Sequence, residues 1–278
     1  MLDRLENELK TRGFSQKTIE SYLLYNQQFL NFTKKEPEKI EEQDIKNYLT
    51  YLTNNNNYKP RSINLALSSL KFAFSHILNK KITDNIKLQK LDKKNSIILT
   101  KEEIKALINA TENPKHKLLF KLMVSSGLRV GEAISLKISD VNLDEKLLTV
   151  KYGKNNKERT TFLSEDSIND LKKYLAKRND NNPYLFSVKD RHISIKLPQK
   201  IIKLSAKKAN LHKRIFCHAL RSTFAHLLLN NGIHSKYVQF MLGSSPHINN
   251  EFSKKLFREE IKKIKNPFDN IFSRDDVK

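Results

Sequence analysis

A basic stretch without helical periodicity, residues 81–96, divides the sequence into two parts. It contains Asp92-Lys93-Lys94-Asn95 and few apolar residues, a composition typical of loops and linkers. A chain of 278 residues has room for two separate cores. We therefore predict an N-terminal helical domain at 1–80, a basic linker at 81–96 and a second domain at 97–278.

The N-terminal part has the pattern of four short amphipathic helices, the first near Leu2 to Leu9. Ser15 is a suitable N-cap for the second helix, and Pro60 suits the first turn of the fourth. Apolar residues at helical spacing mark the last three helices: Ile19, Tyr22, Leu23, Phe29, Leu30, Ile45, Tyr48, Leu49, Leu52, Ile63, Leu67, Leu70 and Phe74. The pattern predicts a small helical bundle, with the asparagine run 54–57 as a loop.

The second part adds a small β element to further helices. Thr100 and Glu103 form a capping box that begins a new helix. Two short runs that alternate apolar and polar residues, 146–152 and 158–163, flank a turn rich in Gly and Asn and predict a β-hairpin. Residues 183–186 predict a short edge strand. The fold class expected for the whole chain is mainly α with a small β-hairpin or sheet.

The charge of the chain is strongly positive, because 52 Lys and Arg face 30 Asp and Glu, a formal net charge of +22. Residues 1–90 hold 15 basic and 10 acidic side chains, and residues 91–278 hold 37 and 20. Such a surplus favours a polyanionic partner, of which nucleic acid is the commonest. Alternatively, the positive surplus reflects only a biased composition, since the chain is rich in Lys, Asn and Ile. The basic run 188–215 fits a helix along a duplex or a solvated surface.

Cysteine and apolar content exclude several classes of protein. Cys217 is the single cysteine, so an internal disulfide is excluded, and no Cys or His cluster has the spacing of a structural zinc site. No apolar run approaches the roughly 20 residues of a membrane-spanning helix. We therefore expect a cytoplasmic protein without membrane association, metal or cofactor.

A motif near the C-terminus carries candidate binding residues. It reads His218-x-Leu-Arg221-x-Thr-Phe-Ala, followed by Asn231-Gly232 and Leu242-Gly243. His218 and Arg221 are three residues apart, so they share one face of a helix, and such a donor pair suits a phosphate. The spacing alone fits a basic helix with a solvated face as well.

A second motif, Gly127-Leu128-Arg129-x-x-Glu132, lies nearer the middle of the chain. Gly127 can adopt the left-handed conformation that ends a helix, which places Arg129 on a tight turn. Taken alone, Arg129 is equally compatible with a surface or ion-paired arginine.

Together with Gly153-Lys154-Asn155-Asn156-Lys157-Glu158-Arg159 in the hairpin, these motifs resemble the tyrosine recombinase (phage integrase, Xer-like) family. The resemblance implies an N-terminal helical core-binding (SAM-like) domain and a C-terminal catalytic-type domain that bind double-stranded DNA in site-specific recombination or integration. It implies that Arg129 and Arg221 face a cleft and stabilise the phosphate, that His218 assists proton transfer and that Lys154 is the general acid. Glu132 would hold the loop, and neither metal nor cofactor is implied. Taken alone, the hairpin cations Lys154, Lys157 and Arg159 also fit solvated charges.

Two family positions carry different residues. Ser244 stands where a second His follows Leu-Gly, Ser253 stands where the nucleophilic Tyr belongs, and no Tyr follows Tyr237. A serine hydroxyl is much less acidic than a phenol, whose pKa is about 10, and it extends less far from the backbone. We therefore predict a DNA-binding member of the family without strand cleavage.

Two alternatives stay open from the sequence. One is an active recombinase with an unconventional or trans-donated nucleophile, and the other is a basic structural DNA binder without an active site. Self-association or pairing with other recombinase protomers fits both the family member without strand cleavage and the active recombinase. The apolar residues between 254 and 272 would then pack either on a neighbouring protomer or on their own chain.

Overall fold

The structure is a computed structural model that describes residues 1–54, 58–91, 96–151, 158–244, 251–269 and 271, without the side chains of 251–254. The chain divides into two compact units, residues 1–94 and 95–278.

The first unit contains four α-helices, as the periodicity predicted. Ser15 accepts a hydrogen bond from the Thr18 backbone at 3.3 Å and so caps the second helix, and Pro60 opens the fourth. The helices are α1 (Leu2–Thr11), α2 (Gln16–Thr33), α3 (Glu42–Asn54) and α4 (Pro60–His76). Residues 55–57 of the predicted asparagine loop lie outside the described residues.

Aromatic side chains from α2, α3 and α4 form the centre of the first unit. The Phe29 ring lies 5.2 Å from Tyr48 and 6.1 Å from Phe74, and all three side chains are buried. The segment after α4 also packs here, because Asn64 exchanges two hydrogen bonds with the Gln89 backbone at 2.8 and 2.9 Å. Within the predicted linker, the chain up to Gln89 is thus attached to the first unit.

The second unit contains eight described α-helices and five short strands. Its helices are α5 (Lys101–Asn109), α6 (Pro114–Ser126), α7 (Val130–Ser135), α8 (Glu165–Ala176), α9 (Lys196–Lys208), α10 (Cys217–Asn230), α11 (Ser235–Leu242) and α12 (Glu251–Lys263). Its strands are β1 (Val141–Asn142), β2 (Leu147–Val150), β3 (Arg159–Phe162), β4 (Ser187–Val188) and β5 (Arg191–His192). Thr100 and Glu103 form the predicted capping box of α5.

The predicted hairpin is present as an antiparallel three-stranded sheet of order β1-β2-β3. Val150 pairs with Arg159, so both strands are shorter than predicted, and β1 was not predicted. Residues 152–157 between them lie outside the described part of the chain. The predicted edge strand 183–186 is reduced to a single antiparallel bridge between Tyr184 and Lys137, because the fully buried Leu185 and Phe186 lie in a turn.

The core of the second unit lies around α6 and α10. Phe224 of α10 is fully buried, 5.8 Å from the Phe162 ring and stacked at 6.1 Å on Phe268. Asn266 donates a hydrogen bond to the Ser125 carbonyl, and Ile271 is fully buried. The described part of the C-terminal segment therefore packs on its own chain, the second of the two arrangements considered above.

No helix among the described residues is both long enough and apolar enough to cross a membrane.

Helix α6 ends at Gly127, where two constraints require glycine. Its φ of 65° lies in the left-handed region, and a Cβ there would lie 2.4 Å from the Phe224 ring and 3.1 Å from Leu242. The backbone can therefore turn from α6 into the segment that carries Arg129 only because position 127 has no side chain.

We expect Gly127→Ala to destabilise the protein by about 1–3 kcal/mol or more, since backbone strain and overpacking against Phe224 add. Gly232→Ala is the matched control, because Gly232 has a φ of 78° but nothing within 4 Å of the added Cβ. Chemical denaturation of both variants measures the difference. Equal losses in the two variants would show that contact with Phe224 contributes nothing.

Candidate functional site

Glu132 lies at the centre of a group of arginines in the second unit. Its side chain is buried, and it accepts hydrogen bonds from the Arg129 backbone and from Arg129 Nη1, both at 2.7 Å. Arg129 immediately precedes α7, and Glu132 lies in the first turn of that helix, so the carboxylate also caps the helix N-terminus. Glu132 thus holds the loop as the motif implied.

Arg159 is a member of this group that sequence reasoning missed. Its exposed fraction is 5%, its Nη1 and Nη2 donate to the two Glu132 oxygens at 2.8 and 2.7 Å, and its Nε donates to the Met241 carbonyl at 2.7 Å. The interpretation of Arg159 as a solvated hairpin charge is therefore wrong. The two-residue period of a strand could have predicted this burial, since it places Arg159 on the same face as the buried residues Thr161 and Leu163.

Arg221 lies on α10 and bridges the C-terminal ends of two helices. Its Nη1 donates to the Gly127 carbonyl at 2.7 Å, its Nη2 donates to the Leu242 carbonyl, and Nη1 lies 3.6 Å from a Glu132 oxygen. The terminal carbonyls of a helix lack partners within the helix, and they attract a cation. Arg221 is 6% exposed, so it differs from the expected cleft residue, whereas the Arg129 side chain is 35% exposed.

The end of α11 explains why two of its carbonyls are available. Gly243 has a φ of 64°, its N–H donates to the Phe240 carbonyl, and the Ser244 N–H donates to the Gln239 carbonyl, both at 2.9 Å. The next two carbonyls, those of Met241 and Leu242, accept from Arg159 and Arg221 instead.

The arginine group keeps a positive charge. Burial alone would raise the pKa of Glu132, but hydrogen bonds and charge from Arg159, together with Arg129, lower that pKa to about 2. Burial and the charges of Arg129 and Arg159 lower the pKa of Arg221 to about 9, so it remains charged at pH 7. Three guanidinium groups and one carboxylate leave two positive charges at this point.

His218 lies in the first turn of α10, one turn before Arg221, and is exposed. Partial desolvation of the ring and the charges of Arg221 and Arg129 lower the pKa of His218, so the imidazole is neutral at pH 7. Its ring makes no hydrogen bond to any residue that the structure describes. The structure therefore brings together Arg129, His218 and Arg221 of the predicted set.

The remaining predicted residues are not joined to this group by described contacts. Lys154 lies outside the described residues. Ser244 is exposed, and its hydroxyl donates to the Gln239 carbonyl at 3.3 Å. The Ser253 backbone lies in the first turn of α12, and its side chain is not among those described. Within the described ranges, no three His, Cys, Asp or Glu side chains are placed to hold a metal ion.

Two family models match this chain. The model of the phage integrase family matches residues 98–250, and that of the phage integrase N-terminal SAM-like domain matches residues 1–84. The chain belongs to the phage integrase family. The predicted resemblance to Xer-like tyrosine recombinases and the predicted fold class are thereby confirmed.

Curated relatives and solved structures agree with this assignment. The tyrosine recombinase XerA of Pyrococcus horikoshii is 32% identical over 273 residues, which cover 95% of this chain and 93% of XerA. The crystal structure of XerA recombinase is 28% identical and covers 93% of this chain and 97% of its own, with a TM-score of 0.50. A lambda integrase dimer bound to a COC′ core site, 23% identical with a TM-score of 0.72, covers 90% and 96%, and supports the fold alone.

The position of Glu132 predicts a pH-dependent stability. Its pKa of about 2 in the folded protein lies below the ordinary value of 4.5, so its contribution is complete above pH 4.5 and is lost as the pH falls from 4.5 to about 2. We expect Glu132→Gln to lower the free energy of unfolding by about 3–5 kcal/mol at pH 7, because it leaves buried arginines unpaired. The difference from the unmodified protein should shrink between pH 4.5 and pH 3, as measured by chemical denaturation.

Glu145→Gln provides the control, since Glu145 pairs with Arg258 and Lys262 at the surface. Solvent screens such pairs, so its loss should change stability much less. A Glu132 variant as stable as the Glu145 variant would contradict the central role of Glu132.

Proposed function

We propose that this protein binds duplex DNA in site-specific recombination or integration, and that Arg129, His218 and Arg221 grip one backbone phosphate. The observation that supports this most strongly is the unbalanced charge of the arginine group, in which one carboxylate orients three guanidinium groups without neutralising them. A phosphate supplies the missing negative charge and the oxygen acceptors that guanidinium donors require.

Arg129 is the member of the group best placed to reach a ligand. Of its side-chain nitrogens, only Nη1 donates to a described residue, and 35% of the side chain is exposed. The guanidinium carries five N–H donors in a fixed plane, so donors remain for a phosphate while Glu132 fixes the orientation of the side chain.

His218 and Lys154 complete the proposed site. An approaching phosphate raises the pKa of the neutral His218 imidazole, so the ring can take up a proton as it binds. Lys154 would be the general acid, as the family resemblance implies, because an ammonium in contact with phosphate stays charged until proton transfer.

The nucleophile limits the proposed activity. With Ser253 at the family's tyrosine position and Ser244 at that of the second histidine, we propose that the protein holds the phosphate without forming a covalent link. Solved relatives include a lambda integrase dimer bound to a core site and a tetramer bound to a Holliday junction. By analogy, we propose that this protein acts in DNA-bound assemblies of protomers. We also propose a cytoplasmic location, because a single cysteine suits a reducing compartment.

Arg129→Ala should weaken binding to duplex DNA by about 1–3 kcal/mol, a loss of roughly tenfold to a hundredfold in affinity, because one charge-assisted contact disappears. The slope of log affinity against log salt should decrease in magnitude by about one, as expected for one phosphate contact. Fluorescence anisotropy of a labelled duplex at several salt concentrations measures both quantities.

Lys263→Ala removes the same charge from an exposed side chain paired with Glu260 and serves as the control. A loss of affinity equal in the two variants would leave only the basic structural binder. An unmodified protein whose affinity is independent of salt would exclude DNA binding through phosphates altogether.

Ser253→Tyr, alone or with Ser244→His, should regain a low level of covalent DNA adduct, whereas the unmodified protein should form none. The reason is that Arg129, Lys154, His218 and Arg221 match the family, which supports retention of the electrostatic part of the site without its nucleophile and second His. Nicked suicide duplexes of randomised sequence, incubated with each variant and separated on a denaturing gel, provide the measurement.

Ser253→Phe is the matched control, because it adds the same ring without a hydroxyl and should form no adduct. An adduct formed by the unmodified protein, mapped to Ser253 or to any tyrosine, would instead establish the active recombinase with an unconventional or trans-donated nucleophile.

A further inference from the structure

Arg159 contacts residues next to both arginines of the proposed phosphate site, and each of its three nitrogens makes a hydrogen bond within the protein. Its Nη1 and Nη2 bind the two oxygens of Glu132, and its Nε binds the Met241 carbonyl. All three nitrogens point into the protein, and the residue is 5% exposed. The described hydrogen bonds of Arg159 are therefore all made within the protein.

Each partner of Arg159 leads to one of the phosphate-binding arginines. Glu132 accepts hydrogen bonds from Arg129, both from its backbone and from its side chain. Met241 precedes Leu242, whose carbonyl accepts from Arg221. A single planar guanidinium thus links the start of α7, which places Arg129, to the end of α11, which holds Arg221.

Gly243 shows how closely Arg159 fits under the end of α11. A Cβ at position 243 would lie 2.8 Å from Arg159 Cδ and 3.4 Å from its Nε. Position 243 therefore requires glycine for two reasons. Its φ is positive, and the Arg159 side chain occupies the space that a methyl group would need.

We propose that Arg159 is a positioning residue that sets the separation of Arg129 and Arg221 and thereby creates a two-arginine clamp for one phosphate. This inference rests on the phosphate-binding function proposed above. The alternative is that Arg159 only balances the charge of Glu132 in the core.

Lysine distinguishes the two roles, because Arg159→Lys keeps the charge but replaces three fixed nitrogens by one. A lysine can pair with Glu132 or bind the Met241 carbonyl, but it cannot reproduce the bidentate pair together with the third bond. If charge balance is sufficient, lysine restores full function. If position is what matters, the variant folds but no longer aligns the two arginines.

The experiment uses the full chain, labelled with ¹⁵N in its arginine side chains, and inorganic phosphate as the probe. The Nε–H signals are assigned with Arg129→Lys and Arg221→Lys. In the unmodified protein, we expect phosphate to shift both signals along one binding curve. In Arg159→Lys, we expect at least tenfold weaker phosphate binding and no common curve. Duplex affinity should fall by no more than in Arg129→Ala and should remain salt-dependent.

A second variant reaches the same contact without changing Arg159. Gly243→Ala should displace the arginine and weaken phosphate binding in the same way. Gly232→Ala, with a comparable φ and open space around the added Cβ, should leave it unchanged. Combining Arg159→Lys with Gly243→Ala should add little to either loss, because both act on one contact.

The outcomes separate this inference from the proposed function. Full phosphate affinity in Arg159→Lys, or in Gly243→Ala should the lysine variant not fold, overturns the positioning role and leaves DNA binding intact. Absence of any arginine response to phosphate in the unmodified protein overturns the clamp itself. If salt-dependent duplex binding is also absent, the proposed function fails too.

Discussion

The site depends on the ion pairs between the Glu132 carboxylate and three arginines, Arg129, Arg159 and Arg221. Glu132 belongs to α7, Arg159 to β3 and Arg221 to α10, so one buried carboxylate joins a helix, a sheet and a second helix. A lone buried carboxylate would be protonated to avoid the cost of desolvation. Here the surrounding guanidinium groups keep the carboxylate charged. The contacts that join these elements therefore also set the charge state of the site.

Helix ends take the place of further carboxylates. The carbonyls of Gly127, Met241 and Leu242 lie at the C-termini of α6 and α11, and each accepts a guanidinium N–H. A helix C-terminus carries about half a negative charge, so it orients an arginine without neutralising it. Additional carboxylates at these places would hold the arginines as well but would remove the charge that attracts a phosphate.

Local signals were sufficient to predict most elements of the fold. The Ser15 cap, Pro60 and the Thr100–Glu103 capping box each act within one helical turn, so their sequence patterns carry the whole interaction. The Arg159 contacts were not predictable in this way. Their partners lie 27 and 82 residues away, and a cation beside a Gly- and Asn-rich turn has the appearance of a surface residue. Arg221 was placed on the correct helix, but its burial depends on two distant glycine turns.

The same long-range contacts determine which residues indicate function. Glu132, Arg159 and Arg221 are buried and join elements of the core, so packing alone gives a reason for their presence, whether or not the chain cleaves DNA. Arg129 and His218 differ, because both are more exposed and His218 bonds to no described residue. The core requires little from these two side chains. Their presence beside a positively charged cluster is therefore the stronger argument that the protein still binds phosphate, even with serine at position 253.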